Sequence, residues 1–192
     1  MIRVLLVHDT WLMRSALSAL LKNEADIEVS AACFGKAAGR ARSFRPQVCI
    51  VDGDAPDGGQ LPGWPGCALL VLATACRPGT LRRAIAARAL GFVDKDAPPG
   101  RLLRAIRMVA AGERYVDSSL ALDFLRAADM PLTPRELSVL ALAADGASVP
   151  EIARELCLSA GTVRNYMAAI NRKTGARNRV DAIRISRVAG WV

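Results

Sequence analysis

The sequence predicts an α/β domain built on a five-stranded parallel sheet, followed by an all-α domain of four short helices. Three observations predict it. Over residues 1–115, short apolar runs alternate with segments of helical period, the pattern of a parallel sheet covered on both faces. Residues 131–192 carry no strand pattern but four successive helix-start signals. Between them, residues 116–130 hold a single helical stripe (Leu120, Phe124, Leu125) and read as a short linker helix.

In chain order, residues 3–7 form an apolar strand and 12–22 a helix with Leu17, Leu20 and Leu21 on one side. Residues 28–33 predict a second strand and 36–44 a short helix. The apolar runs 47–51, 68–72 and 92–94 predict three more strands, with helices over 80–90 and 100–111. In sheets of this kind the working residues gather at the carboxyl ends of the strands. Asp9 follows the first strand, Asp52 ends the third and Lys95 ends the fifth, so two carboxylates and one ammonium converge at one edge. The segment after Asp52, GDAPDGGQLPGWPGC, is too rich in Gly and Pro for more than a turn of helix. Asp54 and Asp57 add negative charge there and offer a compensating cation ligand.

The helical part announces each of its elements. Thr133-Pro134-Arg135-Glu136 is a capping box with Pro at the first helical position, and Ser148-Val149-Pro150-Glu151 repeats the device. Ser159 caps a third helix over about 160–173, and Asn178 opens a fourth. Gly146 and Gly175 close the first and third. Two short helices joined by only Leu156-Cys157-Leu158-Ser159 follow the helix-turn-helix plan.

In the third helix Val163, Tyr166 or Met167, and Ile170 recur at core spacing. Thr162 opens it, and Arg164, Asn165 and Ala168 fall on the outer side. Arg bonds guanine and Asn adenine through paired hydrogen bonds, and a small Ala lets a helix sit deep in a groove. Arg172, Lys173 and Arg179 come next, where phosphate contacts belong.

The formal charge of +8 and isoelectric point near 9.8 favour a polyanionic partner. No run is long enough to span a membrane, and no leader is evident, so a cytoplasmic protein is expected. Five cysteines without metal-ligand spacing read as reduced, mostly buried thiols. Elsewhere no nucleophile–base pair or cofactor loop is evident, so an enzyme with turnover is not expected.

The strings LTPRE, EIA, LSAGTVRNY and KTGARNRVDA resemble the LuxR-type (NarL/FixJ) helix-turn-helix domain over roughly the last third of the chain. VLLVHDTWLMRSAL, RPQVCIVDGDAP and GFVDKDAP resemble the receiver domain of bacterial response regulators, a flavodoxin-like fold. The resemblance implies a transcription regulator that binds the DNA major groove as a homodimer, pairing through the last helix. It implies that Thr162, Arg164, Asn165, Ala168, Arg172, Lys173 and Arg179 meet DNA. In the receiver it implies Asp52 as phosphoacceptor, Asp9 and Asp52 as Mg²⁺ ligands, and Lys95 as the neutraliser of phosphoryl oxygens.

This chain departs from the receiver pattern in three places. His8 stands where a second acidic residue is usual, and imidazole is a poor ligand for a hard cation. Ala73 falls where a Ser or Thr should follow the phosphoryl group, with Thr74 one residue late and on the opposite face if the strand continues. The segment after Asp52 is shorter than usual and is expected to lack the third receiver helix. Three readings stay open: an atypical receiver not controlled by ordinary phosphorylation, a switch driven by a sensor histidine kinase, and a sensor of a small ligand or partner near Trp64. No cofactor is required in the first; Mg²⁺ would serve the second.

Overall fold

The computed structural model describes residues 1–54 and 64–192. Its elements are β1 (Ile2–Val7), α1 (Trp11–Lys22), β2 (Ile27–Ala32), α2 (Phe34–Phe44), β3 (Val48–Asp52), β4 (Ala68–Ala73), α3 (Pro78–Ala86), β5 (Gly91–Asp94), α4 (Pro99–Ala110) and β6 (Tyr115–Val116). A 3₁₀ turn at Ser118–Leu120 leads to α5 (Ala121–Ala128), then α6 (Pro134–Ala144), α7 (Val149–Glu155), α8 (Ala160–Thr174) and α9 (Arg179–Val188). Two compact units result, Met1–Ala75 with Ala84–Ala121, and Cys76–Arg83 with Leu122–Val192.

All strands of the sheet are parallel, in the order β2-β1-β3-β4-β5-β6. The expected five strands are present, and the two residues of β6 add a sixth that runs one residue into the expected linker. Leu5, Leu6, Val7 and all five residues of β3 are buried, as strands covered on both faces require. One face packs Val4, Leu6, Ile50, Leu70 and Val93 against Leu102, Ile106 and Val109 of α4. The strand order reverses between β1 and β3, so their carboxyl ends open a crevice where residues 8–10 and 52–54 meet. The expected loss of a helix after Asp52 concerns mainly residues 55–63, which lie outside the described residues, as does Asp57.

The linker helix forms, but its expected stripe is rotated. Leu120 is fully buried, whereas Leu125 is 66% exposed and the buried residues of α5 are Asp123 and Ala127. The cause is the 3₁₀ turn, which holds Leu120 and advances each residue further around the axis than an α-helix does, shifting the phase of α5 behind it.

In the second unit, Leu132, Leu137, Leu140, Ile152, Val163 and Ile170 form one core with Ala182 of α9. Ends of these helices are sealed as the sequence specifies. Thr133 N–H donates to Glu136 Oε2 at 2.7 Å while Glu136 N–H returns to Thr133 Oγ1 at 3.3 Å. Ser148 N–H donates to Glu151, Thr162 N–H to Ser159 Oγ, and Asp181 N–H to Asn178 Oδ1. Gly146 (φ 92°) and Gly175 (φ 70°) take the left-handed conformation that ends a helix without a Cβ clash.

Candidate nucleic-acid interface and carboxylate pocket

Asp52 ends β3 nearly buried, and both of its carboxylate oxygens are occupied. Oδ1 accepts from Lys95 Nζ at 2.5 Å and from Asp54 N–H at 2.9 Å. Oδ2 lies 3.3 Å from His8 Nε2. The other ring nitrogen, Nδ1, accepts from Thr10 N–H at 3.1 Å. A backbone N–H can only donate, so the neutral ring carries its hydrogen on Nε2, directed at Asp52.

Asp54 completes the cluster. Its Oδ2 accepts from Lys95 Nζ at 2.9 Å, from Thr74 Oγ1 at 2.7 Å and from Thr74 N–H at 2.9 Å. The condition under which Thr74 would point away is therefore not met. It required the strand to continue, but β4 stops at Ala73, and past its end the period-two alternation no longer holds. Thr74 turns toward Asp54, while Ala73 is fully buried in the strand opposite Asp94. Burial pulls the Lys95 ammonium down, but its hydrogen bonds to Asp52 and Asp54 outweigh this and leave its pKa raised. It is a fixed cation between two carboxylates.

Asp9 stands apart from this network. It is exposed, and its Oδ1 accepts from Phe34 N–H at 2.9 Å, at the first turn of α2. Arg14, which no pattern in the sequence singles out, donates to the carbonyls of both His8 and Asp9 and pins the loop between β1 and α1. The donor set fits Mg²⁺ poorly. The hard ion needs several free oxygens at close range, and here an ammonium and an N–H face Asp52 while Asp9 is turned aside. Among the described residues no group of three His, Cys, Asp or Glu is arranged to hold a metal.

On α8, Val163 and Ile170 are buried, whereas Arg164, Asn165, Ala168 and Arg172 are exposed. Thr162 is half-buried, its hydroxyl 2.8 Å from that of Ser159, and so fixes the first turn. Two cations expected near phosphates have internal partners. Lys173 Nζ bonds Glu136 Oε2 at 2.8 Å, tying α8 to α6. Arg179 donates to the carbonyls of Ala143 and Ala147 at the end of α6. Arg177 and Arg184 both engage Asp181. Among the described residues Arg164 and Arg172 form no ion pair, and these two remain available to an outside anion.

Residues 130–186 match the family of bacterial regulatory proteins, luxR family. Over its full length the chain is 51% identical to the response regulator RamR of Streptomyces coelicolor, covering 98% of that protein. The chain belongs to the LuxR-family response regulators. It is also 38% identical to the transcriptional regulatory protein DesR of Bacillus subtilis, again over its full length and 99% of the relative. The fold matches the RcsB response regulator of Salmonella typhimurium with a TM-score of 0.79 over 98% of each chain, at 20% identity.

This response regulator is thus a DNA-binding transcription regulator, and its helical unit is the LuxR-type domain that the motifs implied. No helix among the described residues is long and apolar enough to cross a membrane. The cysteines depart from expectation: Cys49 alone is buried, Cys33 and Cys67 are half-buried, and Cys76 and Cys157 are exposed. Trp64 lies away from the carboxylate pocket. Its carbonyl accepts from Cys67 N–H at 3.1 Å just before β4 begins, at the opposite end of the strands from Asp52.

Proposed function

We propose that this response regulator reads duplex DNA as a dimer and that its receiver does not depend on phosphorylation of Asp52 or on Mg²⁺. One observation carries the second half of this reading. Lys95 and Thr74, the ammonium and the hydroxyl that would receive a phosphoryl group, both bond Asp54 Oδ2 already. A phosphoryl group entering at Asp52 would have to displace that carboxylate and would add charge beside it, with no second acidic residue at His8 to recruit a divalent cation. Asp54 therefore acts as a resident anion in the position of the incoming one.

For the first half, Arg164 and Asn165 stand exposed on the helix that should enter the major groove, with Ala168 beside them. Val180 and Val188 leave apolar side chains exposed on α9, the element that would pair with a second copy. The structurally similar RcsB has been solved in complex with DNA and as dimers on DNA. By likeness, the arrangement proposed for this chain is one recognition helix per groove.

Incubation with acetyl phosphate and Mg²⁺ tests the receiver. The expected outcome is an unmodified intact mass and unchanged affinity for genomic fragments that the full-length protein captures. A phosphoryl adduct on Asp52 with a shift to dimer would instead establish the ordinary phosphorylation switch.

A further inference from the structure

A cavity of about 440 Å³ lies in the first unit at the amino ends of β1, β3 and β4. It is remote from the carboxylate cluster, because Gln47 on its wall is five residues before Asp52 along the direction of β3, roughly 16 Å at the usual strand rise. Its volume is that of a small-ligand site. The wall is chemically divided. Trp64, Pro46 and Ala41 give it apolar surface, and Arg3, Arg42 and Arg45 bring three guanidinium groups, with no Asp or Glu among the described residues of the lining.

No described residue neutralises these arginines. Among the described residues none of the three forms an ion pair. Arg3 Nε donates to the Arg45 carbonyl at 3.0 Å, and Arg42 Nε makes only a 3.4 Å contact to Ala38 O. Gln47 uses its carbonyl oxygen for Arg3 N–H at 3.1 Å, which leaves its amide N–H groups as further donors. Arg45 adds an independent sign. It caps α2 in the left-handed conformation (φ 50°, ψ 61°), a place where glycine costs nothing and a side chain is strained. An arginine held there beside two others concentrates positive charge at the mouth of an apolar cavity.

We propose that this cavity binds a small anion built on a flat aromatic ring, with the ring against the Trp64 indole and the acidic group held by Arg42 and Arg45. An indole face offers stacking to a planar ring, and guanidinium forks match carboxylate or phosphate oxygens in pairs. Aromatic carboxylates and mononucleotides share this chemistry. The site stands whether or not Asp52 is phosphorylated, so its test is separate from that of the proposed function.

Calorimetric titration of the full-length protein with naphthoate, adenosine monophosphate and neutral naphthol tests it. Saturable binding of at least one anion with Kd below about 1 mM is expected, with naphthol weaker. An Arg42→Gln/Arg45→Gln variant should lose about tenfold or more in affinity, and Trp64→Leu should weaken the same anion, with melting curves showing both variants folded. Preference for naphthoate assigns the site to aromatic acids; preference for the nucleotide assigns it to phosphorylated heterocycles. No saturable binding of either anion, equal retention of naphthol, or undiminished binding by the double arginine variant overturns the proposal.

Discussion

Glu136 Oε2 accepts three hydrogen bonds, from Thr133 N–H, Thr133 Oγ1 and Lys173 Nζ. One buried oxygen therefore both caps α6 and anchors α8. Burial alone would raise the carboxyl, but Lys173 and Thr133 together hold it below the usual carboxylate range. Glu136→Gln removes the charge that Lys173 faces and should cost about 1–3 kcal/mol in urea unfolding near neutral pH, discounted because Lys173 is partly exposed. The pH dependence has a definite sign. A depressed carboxyl contributes stability that is fully present above its unfolded value, near 4.5, and is lost as pH falls through the lower folded value. The gap between wild type and Glu136→Gln should therefore close as pH falls below about 4.5. A gap that stays constant with pH would show that the pair contributes no linkage.

At the scale of elements, legibility follows how local the cause is. Caps are local: Thr133, Ser159, Asn178, Gly146 and Gly175 could be placed from the sequence because each acts within a few residues of itself. Gly175→Ala tests the strongest of these. Nothing lies within 4 Å of an added Cβ, so only backbone strain opposes it. The expected cost is about 1–2 kcal/mol, seen as a melting point lower by a few degrees, with base preference unchanged. What escaped the sequence depends on where elements stop or what they meet. Thr74 joins Asp54 because β4 ends at Ala73, and alternation cannot signal its own end. Lys173 and Arg179 are expected near phosphates, and only tertiary packing shows that Glu136 and the Ala143 carbonyl also meet them. Leu125 followed a period that the 3₁₀ turn interrupts. Asp9, Asp52 and Lys95 could be placed at one sheet edge, but which of them share a network required Asp54 and His8 in three dimensions.

For the whole molecule, a net charge of +8 says only that polyanions are attracted; the pairing pattern says which charges can do specific work. Lys173, Arg177, Arg179 and Arg184 are held by internal partners, leaving Arg164 and Arg172 exposed and unpaired among the described residues of the recognition helix. The two should behave differently on DNA. On the proposed reading Arg164, near the helix start, meets base edges: Arg164→Ala should cost roughly 1–3 kcal/mol on the preferred fragment and relax discrimination between fragments. On the same reading Arg172, two turns further on, meets phosphate, and its loss should weaken all sequences alike. Each phosphate contact contributes about 0.9 to the slope of log affinity against log salt, so Arg172→Ala should reduce that slope by about 1 per subunit, or about 2 for a dimer. Lys173→Ala should instead show mainly as lower fold stability, because Glu136 is left without its cation. Titrations over a salt series with wild type and the three variants separate these outcomes. If Lys173→Ala lowers the salt slope as much as Arg172→Ala while its unfolding midpoint is unchanged, Lys173 leaves Glu136 for DNA and the division of labour among the arginines and lysine drawn from their pairing fails.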